Sequence, residues 1–419
     1  MVRPGPVSGV IRAPSSKSYT HRALVLGHLS GRTFRIYGAL DSDDTRATAT
    51  ALGRLGTPVH RAKEFWEVSS RPRPARTRVR VDCGESGTTL RFVCALAGLS
   101  GRTVRIDGRG RLPHRPIDEL LDALRGLGAE CRHVGRSGLP IEIRGPIRGG
   151  PVRLDASETS QFASALLLAL PTVDEGSTLE LTGRIVSAPY IAATLAVLER
   201  HGICIERRGR LFRIPGGQVP RGSSFRVPGD ASSAAYFWTA AAVGGGSVRV
   251  VGVADRWPQA DLAMLDILES AGASVSRRSD GATVRRGTPR PFHVNLTDSP
   301  DLFPLAGILA ATIPGDSRLE GAEHVALKES DRRESTARLA RVMGARAQFE
   351  NGALRIRGTS RPRAFHAGHL SDHRLVMSAA IGALAGSGDS SVGEREAVRK
   401  SYPGFWEAFF ALSGGGARR

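Results

Sequence analysis

Amphipathic helical segments recur along the chain about every 70 residues. In each segment the apolar residues follow helical spacing, and the segment closes on a glycine, a common C-terminal helix cap. The closing glycines are Gly56, Gly128, Gly202, Gly272, Gly344 and, in a weaker segment, Gly414. The steps between them are 72, 74, 70, 72 and 70 residues, a regularity that predicts a duplicated structural unit.

A β-hairpin pattern follows five of these glycines, with two short alternating strands around a polar turn, as at 203–206 and 211–214. A second family of helices interleaves at the same period, at residues 16–28, 86–99, 160–170, 232–243, 299–311 and 372–384. The unit therefore reads helix, strand, helix, hairpin. Its period is too long for a solenoid repeat. We predict a duplicated α/β unit, with three copies in each of two similar domains.

The second helix family starts with polar residues or glycine and then turns apolar. Helix N-termini offer free N–H groups and the positive end of the helix dipole, so they can hold anions. If six such ends converge, they suit a ligand with several negative charges. The alternative is that these residues are ordinary N-caps.

Composition indicates a soluble globular protein of two or three domains, with 419 residues, 41% hydrophobic and 24% charged. No apolar run follows the N-terminal charge, and the longest apolar stretch is too short to span a bilayer. We therefore expect a cytoplasmic protein with no membrane partner. The cysteines are scattered at Cys83, Cys94, Cys131 and Cys204. That spacing argues against zinc, iron–sulfur or disulfide frameworks, so we expect no metal and no cofactor.

The net charge of +19 raises the possibility of a nucleic-acid partner. The arginines are spread over the whole chain, however, and aromatic residues make up only 5% of it, which is poor for base stacking. The same positive field would steer a small anionic substrate. We expect small anions and no nucleic acid.

Lysine is rare, since only Lys17, Lys63, Lys328 and Lys400 accompany 55 arginines. Lysine is a compact charge with a movable pKa, whereas arginine is a planar fork that stays protonated. A position that keeps lysine in this chain therefore indicates a site that requires a compact charge or a movable pKa. Three of the four lie in short polar motifs.

The first motif places Lys17, Ser18 and Arg22 at a helix start, and Ser18 and Arg22 share one face. An ammonium, a hydroxyl and a guanidinium together can grip phosphate or carboxylate, although a solvated capped helix fits the same pattern. A glycine-rich turn at 82–91 would let backbone approach an anion. Arg115, just before a proline, could clamp a carboxylate.

Further motifs begin later helices. Hydroxyl and amide groups at 157–162 suit a sugar-like or phosphate ligand. Asp301 is both a good N-cap and a candidate general base. The run 328–332 alternates charges, as a solvated face would, but retains a lysine. His373 could titrate near neutrality, though a lone histidine is more often structural.

In order, these motifs resemble the 5-enolpyruvylshikimate-3-phosphate (EPSP) synthase family over about residues 8 to 410. No single motif decides this, but nine occur in the family's order: 17–22, 84–88, 115–116, 160–162, 229–237, 300–301, 328–332, 372–374 and 400–403. The resemblance implies an inside-out α/β barrel of two domains with six βαβαββ repeats, three per domain. It assigns residues 1–13 with 228–419 to one domain and 14–227 to the other, with the active site in the cleft between them.

The resemblance also implies a reaction. The enolpyruvyl group of phosphoenolpyruvate (PEP) passes to the 5-hydroxyl of shikimate 3-phosphate, and phosphate is released. By position, Asp301 is the hydroxyl base and Glu329 the acid and base at carbon. Lys17, between both substrates, shuttles a proton or stabilises charge. The family's reaction requires no metal.

Binding residues carry over in the same way. The implied PEP ligands are Lys17, Gly87, Arg115, Gln161, Arg332, Arg374 and Lys400. The implied ligands of shikimate 3-phosphate are Lys17, Ser18, Arg22, Thr159, Ser160, Gln161, Ser187, Asp301 and Lys328. We expect a monomer whose partners are these two anions, and Gly87 resembles the small residue that admits the inhibitor glyphosate.

Three positions depart from the family pattern. Glu85 stands where asparagine is frequent beside the PEP phosphate, Thr159 replaces a common serine, and His324 replaces an asparagine. The sister family acts on UDP-N-acetylglucosamine and is the nearest alternative. It carries a reactive cysteine before its Arg-Pro, whereas residues 108–114 contain none here, and Lys17 is followed by serine rather than asparagine.

Overall fold

The computed structural model describes residues 1–70, 77–254 and 256–414, apart from the side chains of 136 and 137. The strands in this part of the chain are β1 Val7–Arg12, β2 Phe34–Tyr37, β3 Val59–Arg61, β4 Phe65–Val68, β5 Arg78–Asp82, β6 Thr103–Asp107, β7 Glu130–Ser137, β8 Leu139–Arg144, β9 Pro151–Asp155, β10 Ser177–Thr182, β11 Glu206–Arg208, β12 Leu211–Ile214, β13 Ser224–Arg226, β14 Gly246–Val251, β15 Ser274–Arg278, β16 Gly281–Arg285, β17 His293–Asn295, β18 Gly315–Glu320, β19 Arg346–Glu350 and β20 Ala353–Gly358. The α-helices are α1 Lys17–Leu29, α2 Asp43–Arg54, α3 Gly87–Gly98, α4 Asp118–Gly126, α5 Gln161–Ala169, α6 Ala188–Arg200, α7 Ala231–Gly244, α8 Met264–Ser270, α9 Phe303–Ala311, α10 Arg332–Val342, α11 His373–Ala383 and α12 Phe405–Leu412.

The chain forms two compact units, one containing Met1–Pro14 and the chain from Gly229 onward, the other containing Ser15–Pro228. We call them the first unit and the second unit. The backbone passes from one to the other at Pro14–Ser15 and returns at Pro228–Gly229.

One sheet pattern occurs five times in the described residues. In the clearest case the strand order is β5-β6-β8-β7: β5 and β6 are parallel around α3, and the β7–β8 hairpin then adds antiparallel strands. The sheets β9-β10-β12-β11 and β17-β18-β20-β19 repeat this order. The unit is therefore βαβαββ, as predicted, and all five predicted hairpins are present.

Two sheets take their first strand from a distant part of the chain. β1 pairs in parallel with β14, from Val7 opposite Gly246 to Arg12 opposite Val251. β13 pairs in parallel with β2, so Ser224–Arg226 lie beside Arg35–Tyr37. In each unit, a strand that lies close to a chain crossing thus pairs with a strand that is distant in sequence. This pairing holds the two ends of the unit together.

The sixth repeat is reduced, which differs from the prediction of six βαβαββ units. Around α11, the described residues contain isolated bridges, parallel between His366 and Ser391 and antiparallel between Val2 and Ser390. The segment 385–391 is Ala-Gly-Ser-Gly-Asp-Ser-Ser, which lacks the β-branched and aromatic side chains that stabilise strands. The sixth repeat therefore follows the same order of elements but does not form a complete sheet.

The repeated glycines end the outer helices as predicted. Helices α2, α4, α6, α8, α10 and α12 each stop two residues before one of the six. All six glycines have positive φ, between 64° and 108°. The left-handed conformation suits glycine because it lacks a Cβ, so each repeat can turn sharply from helix to hairpin.

The second helix family forms the centres of the units. In the first unit α7, α9 and α11 pack on one another, and every residue of α9 and α11 is buried. In the second unit α1, α3 and α5 pack together in the same way. A helix that is apolar on all sides is typical of such a central position. The polar starts of these helices carry several of the predicted site residues, among them Lys17, Gly87 and Gln161.

Close helix packing generates a stability prediction. A Cβ on Gly307 in α9 would overlap the methyl group of Thr336 in α10, whereas a Cβ on Gly53 in α2 would have no atom within 4 Å. We expect Gly307→Ala to destabilise the protein by about 1–3 kcal/mol through overpacking. The control Gly53→Ala should stabilise it by about 0.5–1 kcal/mol, because alanine favours the helix. Urea unfolding followed by circular dichroism measures both, and shifts of the same sign would contradict the packing argument.

Candidate active site

The starts of α1, α3 and α5 carry the polar groups of the second unit. Lys17 is the first residue of α1, and its Nζ lies 2.9 Å from Oδ2 of Asp44 in the first turn of α2. The Asp44 side chain is only 7% exposed, so the ammonium is held in place by a buried carboxylate. Asp44 was not predicted, because Ser42–Thr45 has the pattern of an ordinary capping box.

Arg22 is a buried cation bonded to neutral acceptors. Its guanidinium donates to the Thr194 hydroxyl at 2.9 Å, to the carbonyls of Ser18 at 2.9 Å and Tyr190 at 2.8 Å, and to the Ser164 hydroxyl at 3.4 Å. Burial lowers the pKa of Arg22 to about 10. Its hydrogen bond to Ser18 is accepted by the backbone carbonyl and does not involve the Ser18 hydroxyl. A buried positive charge without a carboxylate favours a nearby anion.

Gly87 and Arg115 lie against each other at the start of α3. A Cβ on Gly87 would lie 2.5 Å from Nη1 of Arg115, so only glycine lets the guanidinium lie across this backbone. Buried Arg91 supports both, because it donates to the carbonyls of Gly87 and Pro116. This role of Arg91 was not predicted, since one of its carbonyl partners, Pro116, lies in a separate segment.

The start of α5 presents amide and hydroxyl groups. Gln161 donates through Nε2 to the Thr88 hydroxyl at 3.3 Å, while its Oε1 is buried and accepts no hydrogen bond from the described residues. Thr159 Oγ1 accepts from the Gln161 N–H, and buried Ser160 makes no side-chain capping bond. Ser187, before α6, has φ of 57°, a strained conformation for serine. Such strain is frequent at ligand sites.

Glu85, one of the departures, turns towards the loop that precedes Arg115. A Cβ on Gly110 would lie 2.8 Å from Oε1 of Glu85. The carboxylate is therefore accommodated against the Gly110 backbone.

A cluster of charges forms the corresponding site in the first unit. Arg332 is 1% exposed and bonds three carboxylates: Asp372 at 2.8 Å, Asp301 at 2.8 Å and Glu329 at 2.7 Å. Arg374 reaches the other oxygen of Asp301 at 2.7 Å. Bidentate and charge-assisted bonds of this kind fix side chains in direction as well as position.

Helix starts bring these groups together. Asp301 lies in a 3-10 turn, Pro300–Leu302, that leads into α9. Arg332 is the first residue of α10, where Asp331 caps the backbone. Asp372 caps α11 by accepting from the Arg374 N–H at 2.9 Å. The central packing of α9 and α11, with α10 against α9, therefore gathers the cluster.

Two carboxylates of the cluster, Asp301 and Asp372, stay ionised. Burial would raise the pKa of Asp301, but the charges of Arg374, Lys328 and Arg332 outweigh burial and hold that pKa well below its usual range. Burial also opposes ionisation of Asp372, and Arg332, with a smaller contribution from His373, lowers its pKa nevertheless. Both groups are thus anions at neutral pH.

The remaining predicted residues lie close by in the first unit. Lys328 is half-buried, and its charge acts on Asp301. Lys400 is 9% exposed at the end of a 3-10 helix, Arg395–Lys400, that packs on α11. His324 is buried, and so is His373, whose Nδ1 lies 3.7 Å from Asp372.

The structure sorts the predicted residues into two groups. The second unit holds Lys17, Ser18, Arg22, Gly87, Arg115, Thr159, Ser160, Gln161 and Ser187. The first unit holds Asp301, Lys328, Glu329, Arg332, Arg374 and Lys400. Within each unit the groups occupy the starts of the central helices and the segments beside them.

Other site types find little support among residues 1–70, 77–254 and 256–414. No group of three or more histidine, cysteine or acidic side chains there could hold a metal ion. The same residues include no helix both long enough and apolar enough to cross a membrane. Burial raises the pKa of the thiols of Cys83 and Cys94, which makes both unreactive.

Comparison with known proteins adds an independent finding. The family model "EPSP synthase (3-phosphoshikimate 1-carboxyvinyltransferase)" matches residues 2–409. The chain belongs to the EPSP synthase family. The fold, the family and the transferase class predicted from the sequence are thereby confirmed.

Similar proteins cover nearly the whole chain. The 3-phosphoshikimate 1-carboxyvinyltransferase of Methanoculleus marisnigri is 40% identical over 97% of this chain and 97% of its own. That of Thermococcus kodakarensis is 39% identical over 97% and 98%. An EPSP synthase structure from Acinetobacter baumannii matches with TM-score 0.81 and 24% identity over 98% and 97%. The enolpyruvyl transferase NikO from Streptomyces tendae matches with TM-score 0.76 and 17% identity over 98% and 96%.

The buried cluster generates a prediction. Asp372→Ala removes a fully buried partner of Arg332, and breaking a buried ion pair typically costs about 3–5 kcal/mol. The control Glu350→Ala removes an exposed partner of Arg355 and should cost no more than about 1 kcal/mol. Urea unfolding compares the variants. Equal losses would contradict a structural role for the Arg332 cluster.

Proposed function

We propose that this protein transfers the enolpyruvyl group of PEP to the 5-hydroxyl of shikimate 3-phosphate, giving EPSP and phosphate. This is a step of the shikimate pathway towards chorismate and the aromatic amino acids. The proposal depends on one observation in a chain that matches the family over residues 2–409. Two arginines hold the carboxylate of Asp301, and a second carboxylate, that of Glu329, lies beside it.

The reaction requires two proton transfers at different atoms. Asp301 accepts the proton of the 5-hydroxyl as the hydroxyl oxygen bonds to C2 of PEP, and Glu329, in its protonated form, donates its own proton to C3. Glu329 then takes a proton back from C3 as the C2–O bond to phosphate breaks. Phosphate leaves with the electron pair of that bond and takes up the proton held by Asp301. Ionised Asp301 suits the first role, and neighbouring carboxylates with different partners can serve as base and acid.

Substrate binding makes Asp301 a stronger base. In the resting state Arg332 and Arg374 hold Asp301 and depress its pKa. We assign the same two arginines, with Arg115 and Lys400, to PEP. When the PEP carboxylate takes up a share of their charge, Asp301 loses stabilisation of its anion and its pKa rises towards the working range.

The second unit supplies groups for the anionic ends of the substrates. Buried Arg22, with its neutral acceptors, favours the phosphate of shikimate 3-phosphate, and Ser18, Thr159, Ser160 and Ser187 of the same unit are assigned with it. Lys328 of the first unit is assigned to the same substrate. Gln161 and Lys17 are assigned to both substrates, and the Gly87 backbone to PEP. The buried Gln161 Oε1 suits a hydroxyl donor.

The protein acts as a cytoplasmic monomer on these two small anions. Its net charge of +19 steers them electrostatically and requires no nucleic-acid partner. The alternative acceptor, UDP-N-acetylglucosamine, is disfavoured because the loop 108–114 contains no cysteine and the curated relatives are named for the shikimate substrate.

The deciding experiment measures phosphate release from PEP with shikimate 3-phosphate, with UDP-N-acetylglucosamine, or with neither. We expect release only with shikimate 3-phosphate. Asp301→Asn should lower turnover by about 10² or more, the usual contribution of an acid–base group. Release with the sugar nucleotide alone would overturn the proposed acceptor, and full activity of Asp301→Asn would overturn its role as base.

A second prediction concerns Gly87. An alanine Cβ would meet Arg115 at 2.5 Å and displace its guanidinium. We expect Gly87→Ala to lower kcat/KM for PEP by at least about tenfold, because small displacements of a positioning group are costly. The control Gly53→Ala, where the space is open, should leave PEP kinetics unchanged. Wild-type kinetics in Gly87→Ala would contradict the placement of Arg115 on PEP.

A further inference from the structure

Asp261 is a buried carboxyl group for which the reaction above has no role. It is 1% exposed and lies in a 3-10 turn, Ala260–Ala263, that packs against α7. Gln259 fixes this turn, because its Oε1 accepts from the Ala231 N–H and its Nε2 donates to the Gly229 carbonyl, both at 2.9 Å. The Asp261 carboxyl therefore has a defined position at the start of a central helix.

Only one oxygen of Asp261 is satisfied. Oδ2 accepts a hydrogen bond from the Ser232 hydroxyl, whereas Oδ1 is buried and has no hydrogen-bond partner in the described part of the chain. A carboxylate ion with an unsatisfied buried oxygen is strongly disfavoured, and a neutral acid is much less so. The geometry thus favours the protonated form.

A hydrogen bond links this turn to the segment that carries the predicted base, Asp301. Ser299, two residues before Asp301, donates its hydroxyl to the carbonyl of Ala260 at 2.9 Å, next to Asp261. Asp301, Arg374 and Asp230 are the charged groups that act on Asp261. Burial, then repulsion from Asp301, raises the pKa of Asp261 to about 7, against the opposing attraction of Arg374.

Arg374 already bonds Asp301 at 2.7 Å. Its charge also attracts Asp261. An ionised Asp261 would therefore compete with Asp301, and with an incoming carboxylate, for Arg374. A neutral Asp261 leaves that arginine available.

We propose that Asp261 is a positioning residue that carries a proton in the resting enzyme, so that Arg374 remains available to Asp301 and to the substrate carboxylate. This inference rests on the proposed function for its catalytic consequence, but the protonation itself does not. When Asp261 loses its proton, Arg374 is drawn towards it and PEP capture weakens.

The protonation is tested first, without substrates. The infrared difference spectrum between wild type and Asp261→Asn should contain the carbonyl band of one protonated carboxylic acid at pH 6, and this band should disappear with a midpoint near pH 7. The control Asp266→Asn, an exposed carboxylate paired with Arg277, should give no such band. Absence of the band from wild type at pH 6 would overturn the proposal.

The positioning role is tested by the pH profile. Only wild type loses its neutral form above pH 7, so kcat/KM for PEP of Asp261→Asn relative to wild type should rise by about tenfold from pH 6 to pH 8. The same ratio for Asp266→Asn should stay flat. A flat or falling ratio for Asp261→Asn would overturn the positioning role, because it would mean that an ionised carboxylate is tolerated or required.

These outcomes separate the two proposals. If the band is present but wild type does not convert PEP and shikimate 3-phosphate, the proposed function fails while the protonated Asp261 stands. If turnover occurs and the band is missing, the proposed function stands and the inference about Asp261 fails.

Discussion

The buried guanidinium of Arg332 is the constraint on which the charged cluster of the first unit depends. A guanidinium that is 1% exposed needs hydrogen-bond acceptors in place of water, and at Arg332 these are carboxylates. Asp301, Glu329 and Asp372 meet that need from the starts of three helices. One charge thus fixes the direction in which three carboxylates point, and the central helix packing holds their backbones.

The second unit handles buried arginine in the opposite way. Arg22 donates to hydroxyls and carbonyls, which accept from its N–H groups without neutralising its charge. The positive potential of Arg22 therefore remains for a ligand, and the helix starts add to it. Repeats of the same topology thus place buried arginine in two environments: among carboxylates at Arg332 in the first unit, and among hydroxyls and carbonyls at Arg22 in the second.

Local signals predicted much of this arrangement, and long-range contacts explain what was missed. The six capping glycines and the starts of the central helices follow from short sequence patterns, and the helix starts led to the site residues. The partners of those residues could not be predicted from short patterns. In the sequence Asp44 resembles a helix cap, Arg91 resembles part of an apolar helix, and Asp261 resembles a turn residue. Their partners Lys17, Pro116 and Asp301 lie 27, 25 and 40 positions away, respectively. The strands β1 and β13 were likewise not predicted, because their partner strands β14 and β2 are distant in sequence, with Val7 opposite Gly246 and Ser224 opposite Arg35.

The arrangement implies that substrate binding is an exchange of partners. Arg332 and Arg374 cannot serve a substrate carboxylate fully while they neutralise Asp301, and they cannot leave Asp301 without raising its pKa. Under the proposed function, binding of the PEP carboxylate to these arginines therefore also makes Asp301 a stronger base. Lysine at 17, 328 and 400 fits this logic, because a point charge can be shared between changing partners, whereas the guanidinium fork fixes a geometry. The arginines hold the resting site, and the lysines can follow the charge as it moves.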